Sequence, residues 1–233
     1  MGDATRDPIP VIAIDGPGGA GKGTICRCVA ASLGWPLLDS GALYRLVGLD
    51  AVNKGVDLED GPALSELARE LDIEFLPGDD DVQVLLGGHE VTGEIRSEAA
   101  GLAASRVAAK AAVRSALIDR QRDFCRGPGL VADGRDMGSV VFPAAALKIF
   151  LTASVEERAR RRYKQLKDKG IDVSLSALSK DMADRDRHDT ERSVAPLKAC
   201  DDARILDTTT MSIEEVVSKV LEWAKEVFPQ EVA

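Results

Sequence analysis

The stretch Ala13–Thr24, AIDGPGGAGKGT, decides how the rest of the chain is read. Val11 to Ile14 is a short apolar run, the pattern of a buried parallel strand, and it ends in Asp15 and a glycine-rich loop. Gly16, Gly18, Gly19 and Gly21 let the backbone curl so that successive N–H groups converge on an anion. A helix is expected from Lys22, and its positive end attracts phosphate. Gly16, Gly18, Gly19, Ala20, Gly21, Lys22, Gly23 and Thr24 are therefore candidate nucleotide-binding residues. Lys22 is the point charge that reaches the bridging and terminal phosphate oxygens. A nucleotide switch would need a hydroxyl directly after that lysine to hold Mg²⁺. Gly23 stands there instead, Thr24 follows one residue late, and the chain has no N-K-x-D string to read guanine.

At 233 residues the chain suits one α/β domain with insertions. Its hydrophobic fraction of 45% supports a real core, and a net charge of −9 argues against a surface that coats nucleic acid. No apolar run approaches the roughly 18 residues of a membrane span, and the N-terminus has no apolar signal core. Cys26, Cys28, Cys125 and Cys200 form no paired motif and have no histidine partner, so reduced thiols in a cytoplasmic protein are expected.

Working outward, strands alternate with helices, which implies a parallel sheet with helices on its faces. WPLLDSGALYR reads as a second strand, followed by a helix opened by Asp39 and Ser40 and closed by Gly55. Helical spacing places Ile25, Cys28, Val29, Ser32 and Leu33 on one face of the first helix, and Leu64, Leu67, Ala68 and Leu71 on one face of a later helix. Ile73 with Phe75, and Val82 with Val84 and Leu86, then alternate, and Gly87-Gly88 turns the chain back: an antiparallel meander inside the strand–helix pattern. A helical region from Ser97 to about Arg126, broken near Lys110, carries Val113, Ala116, Leu117, Gln121 and Phe124 on one stripe. LVADGRD, LKIFLTA and ARILD are the remaining parallel strands. Ser154 with Glu157, and Ser212 with Glu215, are capping boxes opening the helices that follow. His89 and His188 are the only histidines and form no triad with a nucleophile.

Phosphoryl transfer requires a second anion site, and arginine suits it because its planar fork pairs with phosphate oxygens bidentately. Arg45, Arg135 and Arg192 are the candidates. Arg45 and Arg135 follow the second and third parallel strands, at the strand ends where sites of such sheets lie.

GPGGAGKGT, LLDSGALYR, VTGEIRSE, ADGRDMGSVVFP, the EERARRR helix start and RSVAPL run in this order between Ile9 and Trp223. Together they resemble bacterial cytidylate kinase, of the nucleoside monophosphate kinase family of P-loop kinases. The fold so implied is α/β: a P-loop NTPase-like parallel five-stranded sheet flanked by helices. One domain, 1–233, would hold an inserted NMP-binding subdomain with a small antiparallel sheet at 60–110, and a helical lid at 154–192. The implied activity is transfer of the γ-phosphate of ATP to CMP, and to dCMP, with Mg²⁺, in a monomeric enzyme without nucleic-acid or membrane partners. Kinases of UMP or AMP, and a non-catalytic nucleotide-binding regulator, are the rival readings. Gly19 and the acidic PGDDD turn depart from the family pattern without removing a proposed ligand.

The resemblance further implies that Arg45, Arg135 and Arg192 hold the acceptor phosphate, with Ser40 at the edge of that pocket. Ser105, Arg114 and Asp136 would read cytosine, a carboxylate accepting from the C4 amine and an arginine donating to the ring acceptors. Asp189 and Arg185 would hold the ribose hydroxyls. Arg158 and Arg162, four apart on the lid helix, would meet adenine and the phosphates, with Arg161 a competing candidate. Lys22, Arg135, Arg162 and Arg192 would be the catalytic cations. Asp15 and Asp133, at two strand ends, either orient magnesium-bound waters or cap the adjacent loops.

Overall fold

A computed structural model of the chain describes residues 9–76, 82–168 and 170–230. The PGDDD turn lies outside the described residues. Strand β1 (Val11–Asp15) leads into helix α1 (Lys22–Leu33) and strand β2 (Leu37–Asp39). Helices α2 (Ser40–Lys54) and α3 (Gly61–Glu70) follow, then strands β3 (Ile73–Leu76), β4 (Gln83–Leu86) and β5 (His89–Glu90). Helices α4 (Glu98–Ala108) and α5 (Ala111–Arg122) come next. The remaining elements are β6 (Leu130–Gly134), β7 (Leu147–Thr152), α6 (Val155–Asp168), α7 (Leu175–Glu191), β8 (Arg204–Asp207) and α8 (Ile213–Val227).

The chain divides into two compact units. One comprises the chain up to Leu38, Arg122–Glu191 and the chain from Ala195; the other is Asp39–Gln121 with Arg192–Val194. The first unit is built on a sheet of order β2-β6-β1-β7-β8, with β1 parallel to β6 and β7, and β7 parallel to β8. Every residue of β1 and β6 is buried, as expected for strands covered on both faces. Ile12, Ile14, Val131, Ile149 and Leu151 pack against Ile25 and Val29 of α1 and Val216, Val220 and Ala224 of α8. Trp35 closes this core edge-on against Phe228, ring centroids 5.7 Å apart. The other tryptophan, Trp223, lies half-buried on α8 beneath the Arg204 guanidinium and the Lys219 ammonium.

In the second unit, Asp39 accepts a hydrogen bond from the Ala42 N–H and so caps α2, and Asp60 does the same for α3 through Ala63. Gly48 of α2 lets α4 approach closely, since a Cβ there would stand 3.0 Å from the Ala103 Cβ. The meander is antiparallel, with Ile73 opposite Leu86 and Phe75 opposite Val84, and Gly87 and Gly88 make the tight turn. The break in the long helical region falls at Ala109–Lys110, as its sequence suggests.

Three local expectations need correction. The core face of α1 carries Cys26 and Ala30 rather than Cys28 and Ser32; the Ser32 hydroxyl turns back to the Cys28 carbonyl instead. Helix α5 ends at Arg122, four residues short of the expected end near Arg126. Arg122 points away from its own helix and donates to the Val141 carbonyl. The Ser154–Glu157 box is half formed: Ser154 Oγ accepts from the Glu157 N–H, but the Ser154 N–H donates to Thr209 Oγ1, and the Glu157 carboxylate takes Arg160 and Arg161. The Ser212–Glu215 box is complete.

The approach of β6 to Trp35 admits no side chain at Gly129, where a Cβ would stand 2.3 Å from the indole Cδ2. Gly129→Ala is expected to destabilise this unit by about 1–3 kcal/mol through overpacking. Urea unfolding followed by tryptophan fluorescence measures it, and an unchanged midpoint would mean that Trp35 yields without cost.

Candidate active site

The loop after β1 is fixed by close packing beneath it. Gly16 has φ 150°, and a Cβ there would lie 2.0 Å from the Leu151 carbonyl oxygen, so no other residue fits. Gly21, φ 91°, is the N-cap of α1, and its carbonyl accepts from the Thr24 and Ile25 N–H groups at 3.1 Å. The first N–H groups of any helix have no acceptor within it. Here they belong to Lys22 and Gly23, where the glycine loop runs into α1, an arrangement suited to phosphate. Ala20 turns its methyl into the core below.

Lys22 is buried. Its Nζ donates to the Pro17 carbonyl at 3.0 Å and lies 3.9 Å from Asp133 Oδ1. Burial, assisted by the neighbouring Arg135 guanidinium, lowers its pKa to about 8. A lysine so desolvated gains a strong partner when phosphate oxygens arrive.

Arginines crowd the same loop. A Cβ on Gly18 would stand 3.4 Å from Arg135 Nη2 and 4.0 Å from Arg185 Nη2; one on Gly21 would stand 3.9 Å from Arg161 Nη1. Arg135, Arg161 and the neighbouring Arg158 each have a fixed anchor. Arg135 Nε donates to Asp189 Oδ2 at 3.1 Å, which leaves its other edge turned to the loop. Arg161 donates to Glu157 Oε1, to Thr208 Oγ1 at 3.2 Å and to the Thr208 carbonyl at 2.6 Å. Arg158 is almost wholly enclosed. It donates to the Ala153 carbonyl at 3.0 Å, to the Gly18 carbonyl at 2.8 Å and, through both terminal nitrogens, to the Asp186 carboxylate. Arg158 is thus a brace between the loop, α6 and α7, whereas Arg161 presents a guanidinium edge at the loop's helix end. Arg162 lies against Gln165 of its own helix at 3.4 Å.

The two strand-end aspartates differ. Asp15 accepts from the Met137 N–H at 2.8 Å and the Gly138 N–H at 2.9 Å. It holds a single π-helical turn, Met137–Val141, in which the Val141 and Phe142 N–H groups reach back five residues. Burial pushes the Asp15 carboxyl above its usual range, against the pull of those two N–H groups. Asp133 faces the start of α1, 3.7 Å from where a Gly23 Cβ would stand. Asp136, buried, opens the π-helical turn directly after Arg135. Lys22, Asp133, Arg135, Arg185 and Asp189 therefore gather in the first unit around the phosphate loop.

The second unit carries Ser40 at the first position of α2, Arg45 one and a half turns on, Ser105 on α4, Arg114 on α5, and Arg192. Arg114 is buried beneath the ring of Tyr44, 5.7 Å from its centroid, and donates to the Ala108 carbonyl at 3.3 Å. Arg45, Ser105 and Arg192 are half-buried. Both His89 and His188 are exposed, on β5 and α7. Among the described residues no group of three His, Cys, Asp or Glu side chains is arranged to hold a metal, and no helix is long and apolar enough to cross a membrane.

Several supporting residues have no motif of their own. Asp186 fixes Arg158, Thr208 fixes Arg161, Met182 covers Gly19 with its methyl, and Gln121 bonds Ser40. For Asp186 and Met182, the one trace in the sequence is the dense charge of α7, which also suits a solvated helix face.

Residues 12–226 match the family profile described as cytidylate kinase. A cytidylate kinase of Pseudomonas paraeruginosa is 60% identical over 215 residues, 91% of this chain and 94% of that protein. One from Vibrio cholerae is 56% identical over 214 residues, 92% of this chain and 95% of that protein.

The pKa of about 8 at Lys22 sets a pH dependence for nucleotide affinity. Below that value the lysine is charged with or without ligand, so this group leaves affinity constant. Above it, phosphate binding raises the pKa and takes up a proton, and ATP affinity falls by up to about tenfold per pH unit. Calorimetry at pH 8.5 in buffers of different ionisation enthalpy should report that proton; no uptake would mean that Lys22 is already charged in the free protein.

Proposed function

Because this chain belongs to the cytidylate kinase family and transfers a phosphoryl group from ATP to CMP, we propose that the transfer is direct and in line, and that dCMP is also an acceptor. The nucleophile is a phosphate oxygen of the acceptor, ionised at neutral pH, so no general base is required. Catalysis then consists of alignment and stabilisation of charge on the transferred group. The observation that carries this reading is the buried Lys22 at a glycine loop surrounded by anchored arginines. A lysine depressed by burial and like charge is most stabilised when polyphosphate neutralises it.

In this proposal the loop from Gly16 to Thr24 holds the ATP phosphates, and Lys22 follows the charge as it moves. Arg45, Arg135 and Arg192 bind the acceptor phosphate, with Ser40 beside the acceptor nucleotide. Asp189 orients Arg135 in addition to meeting ribose with Arg185. Ser105, Arg114 and Asp136 read the base: a carboxylate accepts from the cytosine amine and is repelled by the uracil carbonyl in the same place. Arg158 serves the donor by bracing Gly18, while Arg161 and Arg162 meet the donor itself. The span 154–192 acts as a lid that keeps water from the transferring phosphate.

Mg²⁺ suits the residues present. Asp133 supplies a hard oxygen donor beside Lys22 and Gly23, and Thr24 a hydroxyl one residue further on. Asp133 and Thr24 would hold the ion's waters, with Asp15 less available because both its oxygens already accept backbone N–H groups. Held there, the ion would supply neutralisation of phosphate charge. The working enzyme is taken as a cytoplasmic monomer, which light scattering of the full chain tests.

ADP release measured with CMP, dCMP, UMP, AMP and GMP in parallel tests the acceptor reading. Turnover is expected with the cytidine nucleotides and little with the others. Asp136→Ala should reduce the preference for CMP over UMP by roughly a hundredfold while leaving the KM for ATP nearly unchanged. A wild-type enzyme equally active on UMP would remove Asp136 as the discriminating group.

A further inference from the structure

Two of the most deeply buried polar side chains in the second unit, Ser40 and Gln121, are 81 residues apart in sequence and bonded to each other. The distance from Ser40 Oγ to Gln121 Oε1 is 2.6 Å, and the two residues are 3% and 1% exposed, so water cannot replace either partner. The orientation of the amide is fixed independently. Gln121 Nε2 donates to the Leu117 carbonyl one helical turn back, at 3.2 Å. The amide nitrogen must therefore face its own helix and the amide oxygen must face Ser40. An amide oxygen only accepts, so the single hydroxyl proton of Ser40 is directed at Gln121.

We propose that Gln121 is a specificity-determining positioning residue: by taking the Ser40 proton it leaves Ser40 Oγ able only to accept from the acceptor base. The inference rests on the reading that Ser40 lies beside the acceptor nucleotide. A hydroxyl free to rotate is indifferent to its partner, donating to a carbonyl or accepting from an amine equally well. A hydroxyl whose proton is held elsewhere meets an N–H favourably and a carbonyl oxygen unfavourably. At the 4-position of a pyrimidine that is the difference between the cytosine amine and the uracil carbonyl. Ser40 with Gln121 behind it thus presents to the amine a group that can only accept. Gln121 touches no reacting atom; it acts through Ser40.

The test is a cycle of four proteins, the wild type, Ser40→Ala, Gln121→Met and the double variant, each assayed for kcat/KM on CMP and on UMP. Gln121→Met frees the Ser40 proton at nearly constant side-chain volume. The ratio of CMP to UMP should fall about tenfold, mostly through a gain on UMP, and should fall no further in the double variant than in Ser40→Ala. Gln121→Glu should keep the ratio. Buried and therefore uncharged, its carboxyl can accept from Ser40 and donate to the Leu117 carbonyl as the amide does. Should Gln121→Met melt below the assay temperature, Gln121→Asn, too short to reach Ser40, is read the same way. A parallel loss on both acceptors with the ratio unchanged would overturn the inference while leaving Ser40 beside the base. An unchanged ratio in Ser40→Ala would show instead that Ser40 does not face the base, and would overturn both.

Discussion

Two successive backbone N–H groups, those of Met137 and Gly138, close on the two oxygens of the Asp15 carboxylate. Through that contact the last residue of β1 holds the turn that follows β6, and most of the first unit's chemistry is attached to one end or the other. On the β1 side begins the glycine loop with Lys22. On the β6 side stand Arg135 and Asp136, the latter at the entrance of the π-helical turn. Parallel strands alone would bring the ends of β1 and β6 to the same end of the sheet, but not in a fixed register beyond it. The buried carboxylate supplies that register. Its own desolvation is costly, as its raised pKa indicates, and the paired N–H groups offset the cost. Asp15 also lends attraction to Lys22, so the same anion that fixes geometry tempers the positive charge of the loop.

The protein carries a net charge of −9, yet concentrates cations around a single loop. Left alone, Arg135, Arg158 and Arg161 would repel one another and Lys22. Each is instead tied to an acidic or carbonyl partner: Asp189, Asp186 with Gly18, and Glu157 with Thr208. The ties hold the guanidinium groups in place before a phosphate arrives, so little reorganisation accompanies binding, the arrangement in which fixed charges are most effective. Acidic residues on α7 that look like solubilising charge thereby become part of the framework around the glycine loop.

Much of this was legible in the chain itself, and the reasons differ by element. The apolar runs of β1, β6 and β7 and the glycine loop are local signals, as are the caps at Asp39 and Ser212, and each appears where its residues indicate. The Gly87-Gly88 turn needs positive φ at both positions, which makes the meander equally plain. What periodicity could not resolve was partner choice across sequence. Asp186 is 28 residues from the arginine it clamps, and the dense run of charges from Lys180 to Glu191 on α7 reads as a wet surface. Gln121 fell on an apolar stripe, where its amide looked like a packing residue rather than the acceptor for Ser40. Ser154 and Glu157 match a capping box letter for letter, but Thr209, brought close by β8, took half of it. The π-helical turn has no pattern of its own; it exists because Asp15 holds its first N–H groups.

Both tryptophans belong to the unit that holds the phosphate loop, and they sit in opposite surroundings. Trp35 is enclosed between Gly129 and Phe228, while Trp223 is partly wet and overlain by two cations. The first will emit as a dry indole, insensitive to aqueous quenchers; the second will emit further to the red and respond to iodide. Asp39–Gln121 contains neither. Intrinsic fluorescence of this enzyme is therefore a spectroscopy of its first unit, and loosening confined to the second will pass through it unseen unless a fluorophore is placed there.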